Sequence, residues 1–203
     1  MWGGQRRENS TISYLQVATI VRSRTVARMV RIRLATSDDC HALAEMRYRF
    51  RAETEFVSET KSRFVRRCTS WMTKRFRGNA SRWRCWVLDD GKQLLGQVWV
   101  QLFQKIPNPV KEEPELHAYV TNFYVVPGIR NQGLGTRLLT TALSWCRSRE
   151  TDAVILWASP ASESLYRRCG FVAPSAILEL RDGASRRQCE NRQVHSAGSA
   201  QKL

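Results

Sequence analysis

The stretch that decides the fold is "VVPGIRNQGLGTRLL", residues 125–139, in which an apolar run ends at Val126 and leucines at helical spacing follow two glycines. Such a pattern predicts a strand, a glycine turn and an amphipathic helix. The first backbone N–H groups of a helix have no partners within it, and the helix dipole is positive at that end. The absence of side chains at Gly133 and Gly135 would let the oxygens of an anion reach those amides.

The pattern "RNQGLG", residues 130–135, reads R-x-x-G-x-G and does not by itself identify a ligand. Glycine turns before helices also serve as plain caps, so a phosphate site and a cap both remain open. A Walker loop needs a Gly-Lys-Ser/Thr ending that is missing here. A dinucleotide fingerprint needs an acidic residue about 20 positions on in a βαβ unit, where this chain has a helix-to-strand connection at Asp152 and Ala153.

Strands and helices alternate on both sides of this stretch. Thr36 to Asp39 offer hydroxyl and carboxylate caps to the first helix, Asp90 and Gly91 mark a hairpin turn, and Pro160 opens the last helix. The predicted strands are 30–35, two within 82–104, 115–126, 153–159 and a last strand or pair over 171–180. The predicted helices are 40–53, 58–76, the one that follows the glycines, and 160–170.

The composition predicts one domain with a sizeable core, because 203 residues with 42% hydrophobic content bury enough surface for one. No apolar run approaches the length of about 18 residues that spans a membrane, and the N-terminus lacks the apolar core of a signal peptide. We therefore expect a soluble, cytoplasmic protein. Its six cysteines are far apart and form no C-x-x-C pair, so we expect reduced thiols and no metal site.

The net charge of +15 suggests an anionic partner, such as a nucleic acid or an anionic cofactor. The distribution of the charge along the chain helps to decide between these partners. Residues 1–28 carry +4 and residues 181–203 carry +3. Both segments are polar or weakly apolar, so we expect a disordered N-terminal extension and a disordered tail around a domain at 29–180. Whether residues 1–28 belong to the native product is left open. The +8 of the domain is dispersed, which disfavours specific nucleic-acid binding.

Two motifs resemble those of the GNAT superfamily of N-acetyltransferases, over roughly residues 29–180. "YVVPGIRNQGLGTRLL" is similar to the acetyl-CoA segment of that family, and "SPASESLYRRCGFV" is similar to its downstream element. Their order and their spacing of about thirty residues are more specific than either motif alone. The resemblance implies an α/β fold with a mixed central sheet of six to seven strands and about four helices, splayed between the fourth and fifth strands. The thioester arm of acetyl-CoA, the expected co-substrate, would occupy that gap.

The resemblance also implies roles for individual residues. The pantetheine arm would lie against the backbone of Val125 and Val126, and the pyrophosphate would bind the amides from Gln132 to Thr136. Tyr166 would be the catalytic residue, since a phenol near the departing thiolate can protonate it. Ser159 stands where many relatives have an asparagine that contacts the cofactor arm. The expected cofactor-binding residues are Val125, Val126, Arg130, Asn131, Gln132, Gly133, Leu134, Gly135, Thr136 and Ser159.

A general base is missing from the expected pattern. Amine-acetylating relatives often place a carboxylate on the fourth strand, and polyamine acetyltransferases carry an acidic pair where this chain has Thr121 and Asn122. Polyamines are thus disfavoured as acceptors, and no base is assigned, although Tyr119, His117 and Glu115 lie upstream. The first helices usually shape the acceptor pocket in this family. Residues that would do so here, or that would serve as ordinary amphipathic-helix residues, are Met46, Arg47, Arg49, Phe50 and Glu53.

We therefore predict an N-acetyltransferase that moves an acetyl group from acetyl-CoA to a primary amine by direct attack in a ternary complex. One alternative is a non-catalytic module that binds acyl-CoA, which the missing carboxylate favours and Tyr166 argues against. A second is a basic nucleic-acid-binding protein. The expected partners are acetyl-CoA and an amine acceptor, with no membrane. A homodimer, the acceptor and the acyl-chain length are left open.

Overall fold

The structure is a computed structural model that describes residues 30–77, 82–107, 109, 114–173 and 178. The predicted N-terminal extension, 1–28, and the predicted tail, 181–203, lie outside the described residues. All regular elements belong to one compact unit that ends at Cys169. Within the described part of the chain, no helix is long and apolar enough to cross a membrane.

The architecture is a mixed sheet of five strands with four helices, as expected for an α/β protein. The strands run in sheet order as β1 (Arg31–Leu34), β2 (Trp83–Asp89), β3 (Leu94–Gln104), β4 (Leu116–Val125) and β5 (Thr151–Ile155). The first four are antiparallel to one another, and β5 is parallel to β4. The helices are α1 (Cys40–Ala52), α2 (Lys61–Phe76), α3 (Leu134–Arg147) and α4 (Glu163–Arg168), with 3₁₀ turns at Ser37–Asp39 and Pro127–Ile129.

The predicted count of six to seven strands is not confirmed. The additional strand or pair was expected over 171–180, and most of that range lies outside the described residues. The residues there that the structure does describe, 171–173 and 178, have no regular secondary structure.

Alternate side chains of β2 contact different helices, which shows that helices cover both faces of the sheet. Cys85 and Val87 pack into one core cluster with residues of α1 and α2. Trp86, between them, stacks edge-on against Trp145 of α3, with ring centroids 5.3 Å apart. Successive side chains of a strand point to opposite faces, so α1 and α2 lie on one face and α3 on the other.

Arg33 of β1 joins two strands to the start of α1. Its Nε donates to Asp89 Oδ2 at 2.7 Å, and its two terminal nitrogens donate to the Asp39 carboxylate at 2.8 and 2.9 Å. Asp39 also accepts from the Thr36 backbone N–H at 2.8 Å, which completes a capping box on the 3₁₀ turn before α1. The predicted cap of α1 itself is not formed, because its N-cap Asp39 makes no side-chain cap hydrogen bond. The hydrogen bonds from Arg33 lower the pKa of both Asp39 and Asp89, although burial opposes the shift.

Three predicted boundaries around β5 were wrong, and α2 begins at Lys61, three residues after its predicted start at 58. The strand predicted over 153–159 begins at Thr151 and ends at Ile155, because its pairing with β4 stops there. The last helix does not begin at Pro160 but at Glu163. A turn precedes it, in which the Ser162 N–H donates to the Ser159 carbonyl at 2.9 Å.

The two glycines of the deciding stretch have structural causes within the fold. Gly133 is the N-cap of α3 with φ +76°, a left-handed conformation that glycine adopts freely. Gly135 lies in the first turn of α3, where a Cβ would meet side-chain atoms of Leu165 and Phe123 at 3.3 Å. Close packing of α3 against α4 and β4 therefore accounts for Gly135 without any ligand.

The ion pairs of Arg33 predict how the free energy of unfolding changes at acid pH. A carboxyl group whose pKa is lower in the folded state than in the unfolded state, where it is about 3.9, stabilises the fold at any pH above that unfolded-state pKa. This stabilisation is lost as the pH falls through the pKa of the folded state. Replacing Arg33 with Gln should cost about 2 kcal/mol at pH 7, since hydrogen bonds to charged groups are lost. The difference from wild type should shrink below about pH 4, as measured by urea denaturation across pH. A difference that stays constant with pH would contradict this assignment.

The backbone at Gly133 predicts a second effect on stability. Gly133→Ala should cost about 1 kcal/mol, because the left-handed conformation crowds a Cβ, whereas Gly133→Asn should cost less. Gly128→Ala is the matched control, since a Cβ there meets nothing within 4 Å and the backbone is not left-handed. Thermal denaturation of the three variants gives the comparison. Equal melting temperatures for Gly133→Ala and the control would contradict the explanation.

Candidate active site

The sheet opens between β4 and β5. Their pairing runs from Leu116 with Thr151 to Tyr119 with Ile155 and then stops, while β4 continues to Val125. Residues 120–125 therefore have no strand partner on the β5 side within the described structure. The predicted splay between the fourth and fifth strands is present in this register.

A bulge in β4 lies beside this opening. The register with β3 shifts between Gln97 and Trp99, and Asn122 has φ +49°. The Asn122 side-chain oxygen accepts a hydrogen bond from Arg47 Nη1 of α1 at 3.1 Å. The bulge thus joins the open strand to the first helix.

The loop that leaves β4 ends in an uncapped helix N-terminus. A 3₁₀ turn follows Val126, Asn131 has φ +62°, and no side chain caps the first turn of α3. The Gln132 side-chain oxygen is buried and has no hydrogen-bond partner. Free backbone N–H groups and a positive dipole end make this turn a suitable place for an anion.

Arg130 braces this loop in the structure. Its Nε donates to the Val125 carbonyl at 2.7 Å, and its Nη2 donates to Glu53 Oε2 at 2.7 Å. The guanidinium also lies over the Tyr124 ring, 5.4 Å from the centroid. Arg130 was expected among the cofactor-binding residues, and its observed contacts hold the loop to β4 and to α1.

Glu53 and Tyr124 complete a link between α1 and β4. The Tyr124 hydroxyl donates to Glu53 Oε1 in a short hydrogen bond. Burial, together with the neighbouring carboxylate, raises the pKa of Tyr124 to about 12. Burial would raise the pKa of Glu53, but the hydrogen bonds from Tyr124 and Arg130 outweigh it and lower that pKa. Glu53 is thus held ionised and is poorly suited to accept a proton.

A cavity of about 340 Å³ lies where the end of α1 meets the end of β4. Its lining residues are Arg49, Ala52, Glu53, Tyr124, Val126 and Pro127. Of the residues predicted to shape an acceptor pocket, Arg49 and Glu53 lie here, whereas Met46 is buried in the core.

The backbone of β4 presents only part of the predicted contact surface. The Val126 N–H donates to the Leu95 carbonyl at 3.0 Å and is used within the sheet. Hydrogen-bonding groups of successive strand residues point to opposite sides, so Val125 turns its N–H and C=O towards the opening. Ser159, across the opening, is exposed, and its Oγ lies 2.7 Å from Ser162 Oγ.

Tyr166 of α4 is buried beside the opening. It is 7% exposed, and its ring centroid lies 6.0 Å from that of Phe123 on β4. Burial raises the pKa of the Tyr166 phenol, and a side-chain hydrogen bond with Ser162 partly offsets this. The phenol therefore stays protonated at neutral pH and can donate a proton.

Of the upstream residues considered as bases, Tyr119 lies at the last pair before the opening, and His117 lies further back along β4. His117 lies near the start of β4, where its Nε2 is 2.9 Å from Asp152 Oδ2. Lys105 donates to the same carboxylate oxygen at 2.8 Å. Tyr119 stacks edge-on against Trp157, with centroids 4.8 Å apart. Among the described residues, no three metal-ligating side chains are close enough to hold a metal ion.

Sequence reasoning missed two features of the site. The link from Glu53 through Tyr124 to Arg130 joins residues 77 positions apart, and no local pattern signals it. The bulge did leave a signal, because an asparagine within the β-branched and aromatic run "YVTNFYVV" is unusual in a strand and tolerates positive φ.

Comparison with solved structures finds the same fold in acetyltransferases. The predicted acetyltransferase of Clostridium acetobutylicum, solved with acetyl-CoA, is 20% identical with a TM-score of 0.64, covering 75% of this chain and 96% of that one. A GCN5-related N-acetyltransferase of Ralstonia eutropha is 21% identical with a TM-score of 0.62, covering 76% and 99%. Glucosamine-6-phosphate N-acetyltransferase of Arabidopsis thaliana is 15% identical with a TM-score of 0.54, covering 76% and 99%.

Comparison with curated protein sequences gives no significant match. Residues 43–171 match the acetyltransferase (GNAT) family, a range that contains the open strand, the glycine loop and Tyr166. The chain therefore belongs to the GNAT acetyltransferase family.

Proposed function

We propose that the protein is an N-acetyltransferase that moves an acetyl group from acetyl-CoA to a primary amine in a ternary complex. The observation that carries the proposal is the opening between β4 and β5, which lies next to an uncapped helix N-terminus and a buried, protonated tyrosine. Membership of the family and a structural neighbour solved with acetyl-CoA support the choice of donor.

The loop and the first turn of α3 would bind the pyrophosphate. The amides from Gln132 through Gly133 and Leu134 to Thr136 supply free donors, and the dipole of α3 supplies partial positive charge. Arg130 would act by holding this loop in place through the Val125 carbonyl and Glu53. Asn131 and Gly135 shape the turn and its packing on α4.

The opening would bind the pantetheine arm. Val125 offers its N–H on the open side, where an extended ligand can pair as an added strand, whereas its C=O already accepts from Arg130 Nε at 2.7 Å. The Val126 N–H already bonds to β3, so its contact with the arm would be by packing. Ser159, at the far side of the opening, would contact the arm through its hydroxyl.

The transfer forms a bond from the amine nitrogen to the acetyl carbon and breaks the bond from that carbon to sulfur. The departing thiolate takes the phenolic proton of Tyr166, the attacking nitrogen releases a proton to solvent, and the Tyr166 phenolate then regains a proton from solvent. A non-catalytic acyl-CoA-binding module remains the alternative, and a test of turnover separates the two. No described contact favours nucleic-acid binding over these functions.

The pyrophosphate site predicts the effect of a carboxylate in the first turn of α3. Thr136→Glu should leave stability within about 1 kcal/mol of wild type, because a negative charge is favourable near a helix N-terminus. The same charge should repel the pyrophosphate and weaken acetyl-CoA binding at least about tenfold, equivalent to about 1.4 kcal/mol.

Thr140→Glu is the matched control for this test. Thr140 is exposed and lies one turn further along the same face of α3. The substitution Thr140→Glu therefore adds the same charge, but away from the amides of the first turn. Calorimetric titration with acetyl-CoA measures both variants. Equal affinity of the two for acetyl-CoA would refute the site.

The burial of Tyr166 predicts the effect of removing its hydroxyl. Tyr166→Phe keeps the ring against Phe123 and should lower kcat at least about tenfold, since general acid catalysis contributes about 10² to 10⁴. The affinity for acetyl-CoA should stay unchanged. Because the pKa is raised above its ordinary value of 10.0, the wild-type rate should not fall from loss of this proton below about pH 10.

The measurement is thiol release with any amine that is accepted, over a range of pH. Wild-type turnover in Tyr166→Phe would make Tyr166 a packing residue only. Acetyl-CoA binding without turnover on any amine would favour the non-catalytic alternative.

A further inference from the structure

Arg47 is a partly buried cation without a carboxylate partner. It lies on α1, and burial lowers the pKa of its guanidinium. Its hydrogen bond goes to the Asn122 side-chain oxygen at 3.1 Å, and its guanidinium lies 5.6 Å from the Phe50 ring centroid. Within the described structure, no acidic side chain is in ion-pair distance of Arg47. Arg33 and Arg130, by contrast, are each paired with a carboxylate.

This arrangement leaves most of the binding capacity of Arg47 unused. A guanidinium has five N–H donors in a planar fork, and Asn122 accepts from one of its terminal nitrogens. A charge withdrawn from water without a counter-ion costs free energy, which a carboxylate or phosphate would restore by binding the fork with two hydrogen bonds. The bulge at Asn122 fixes the direction of the side chain.

The position of Arg47 separates it from the pyrophosphate loop. Glu53, which holds Arg130, lies six residues further along α1, or about 9 Å at 1.5 Å per residue. Arg47 instead faces the middle of β4, where the sheet opens. An anion at Arg47 would therefore belong to a different part of the ternary complex from the pyrophosphate.

Strand β4 connects this cation to the proposed reaction centre. Asn122, which holds Arg47, is followed by Phe123, whose ring centroid lies 6.0 Å from that of Tyr166. Tyr119 lies three residues before Asn122 on the same strand. Trp157 packs edge-on against Tyr119 and is 58% exposed, an unusual setting for so large an apolar side chain. Aromatic side chains thus lie beside the opening, on the strand that contacts both Arg47 and Tyr166.

We propose that Arg47, held by Asn122 on the bulge of β4, binds a carboxylate or phosphate group carried by the acceptor amine. The body of the acceptor lies along Tyr119 and Trp157, and its amine reaches the acetyl group near Tyr166. This proposal rests on the proposed acetyl transfer and names the class of acceptor for it.

The experiment compares pairs of amines that differ in one anionic group. The pairs are O-phosphoethanolamine with ethanolamine, 4-aminobutyrate with butylamine, and glucosamine 6-phosphate with glucosamine. With the full chain and acetyl-CoA, kcat/KM should be at least about tenfold higher for at least one anionic member than for its neutral partner, equivalent to about 1.4 kcal/mol. Whichever anion gives the preference distinguishes phosphate from carboxylate.

Arg47→Gln should bring the ratio of kcat/KM for the anionic member to that for its neutral partner close to one. Arg47→Lys keeps the charge but not the fork, and it should retain part of the preference. Arg66→Gln, which removes an exposed arginine of α2, is the control for net charge and should keep the preference in full. Absence of any preference in wild type, or equal losses for both members of a pair in Arg47→Gln, would overturn the proposal.

A binding measurement separates failure of this proposal from failure of the proposed function. In the protein saturated with CoA, inorganic phosphate should shift the Arg47 Nε–Hε resonance with a Kd of about 1 mM or tighter, whether or not any amine is acetylated. If nothing is acetylated and this shift occurs, the anion site stands and the catalytic function fails. If nothing is acetylated and phosphate gives no saturable shift, the anion site fails as well. A shift of that resonance on CoA addition alone, with no further response to phosphate, would assign Arg47 to the cofactor and overturn the proposal.

Discussion

The constraint on which the site depends is that β4 is longer than its parallel neighbour. β5 ends at Ile155, opposite Tyr119, and β4 runs on to Val125. Backbone N–H and C=O groups at the centre of a protein need partners, and a strand edge without them is a template for another extended chain. The open edge, the loop after it and the helix that follows are consecutive in sequence, so one stretch of the chain forms this side of the site, while α1 and α4 supply Glu53 and Tyr166.

The brace at Arg130 shows how the fold keeps this open region ordered. Arg130 binds the Val125 carbonyl at the end of β4 and the Glu53 carboxylate at the end of α1. The loop is thereby fixed to the end of α1. An anion bound to the loop and an acceptor bound beside α1 would therefore contact the same rigid frame, which favours a defined distance between the two substrates.

The sequence predicted helices and strands well where a local pattern determines them. It predicted them less well where contacts between distant residues determine them. The strand, glycine turn and helix of residues 125–139 are present, as is the Asp90-Gly91 turn. The capping box at Thr36 serves the 3₁₀ turn before α1 and not α1 itself. The end of β5 could not be predicted, because it is set by where β4 diverges and not by the apolar run through Trp157. Gly135 was assigned to a ligand, and the structure gives it a packing cause in Leu165 and Phe123, which are distant in sequence. The roles of the site residues remain predictions for the experiments above.

The cationic character of the site bears on the missing base. An amine must lose its proton before it attacks, and β4 carries no carboxylate that could take it. A nearby positive charge disfavours a protonated amine and lowers its pKa. If the anionic group of the acceptor binds Arg47, it cancels part of the positive charge that lowers the pKa of the amine. The remaining cations and the low polarity of the aromatic surface at Tyr119 and Trp157 would then have to lower that pKa. The rate should then rise with pH along the titration of the acceptor amine itself, and amines of lower pKa should react faster at neutral pH, without any single side chain acting as the base.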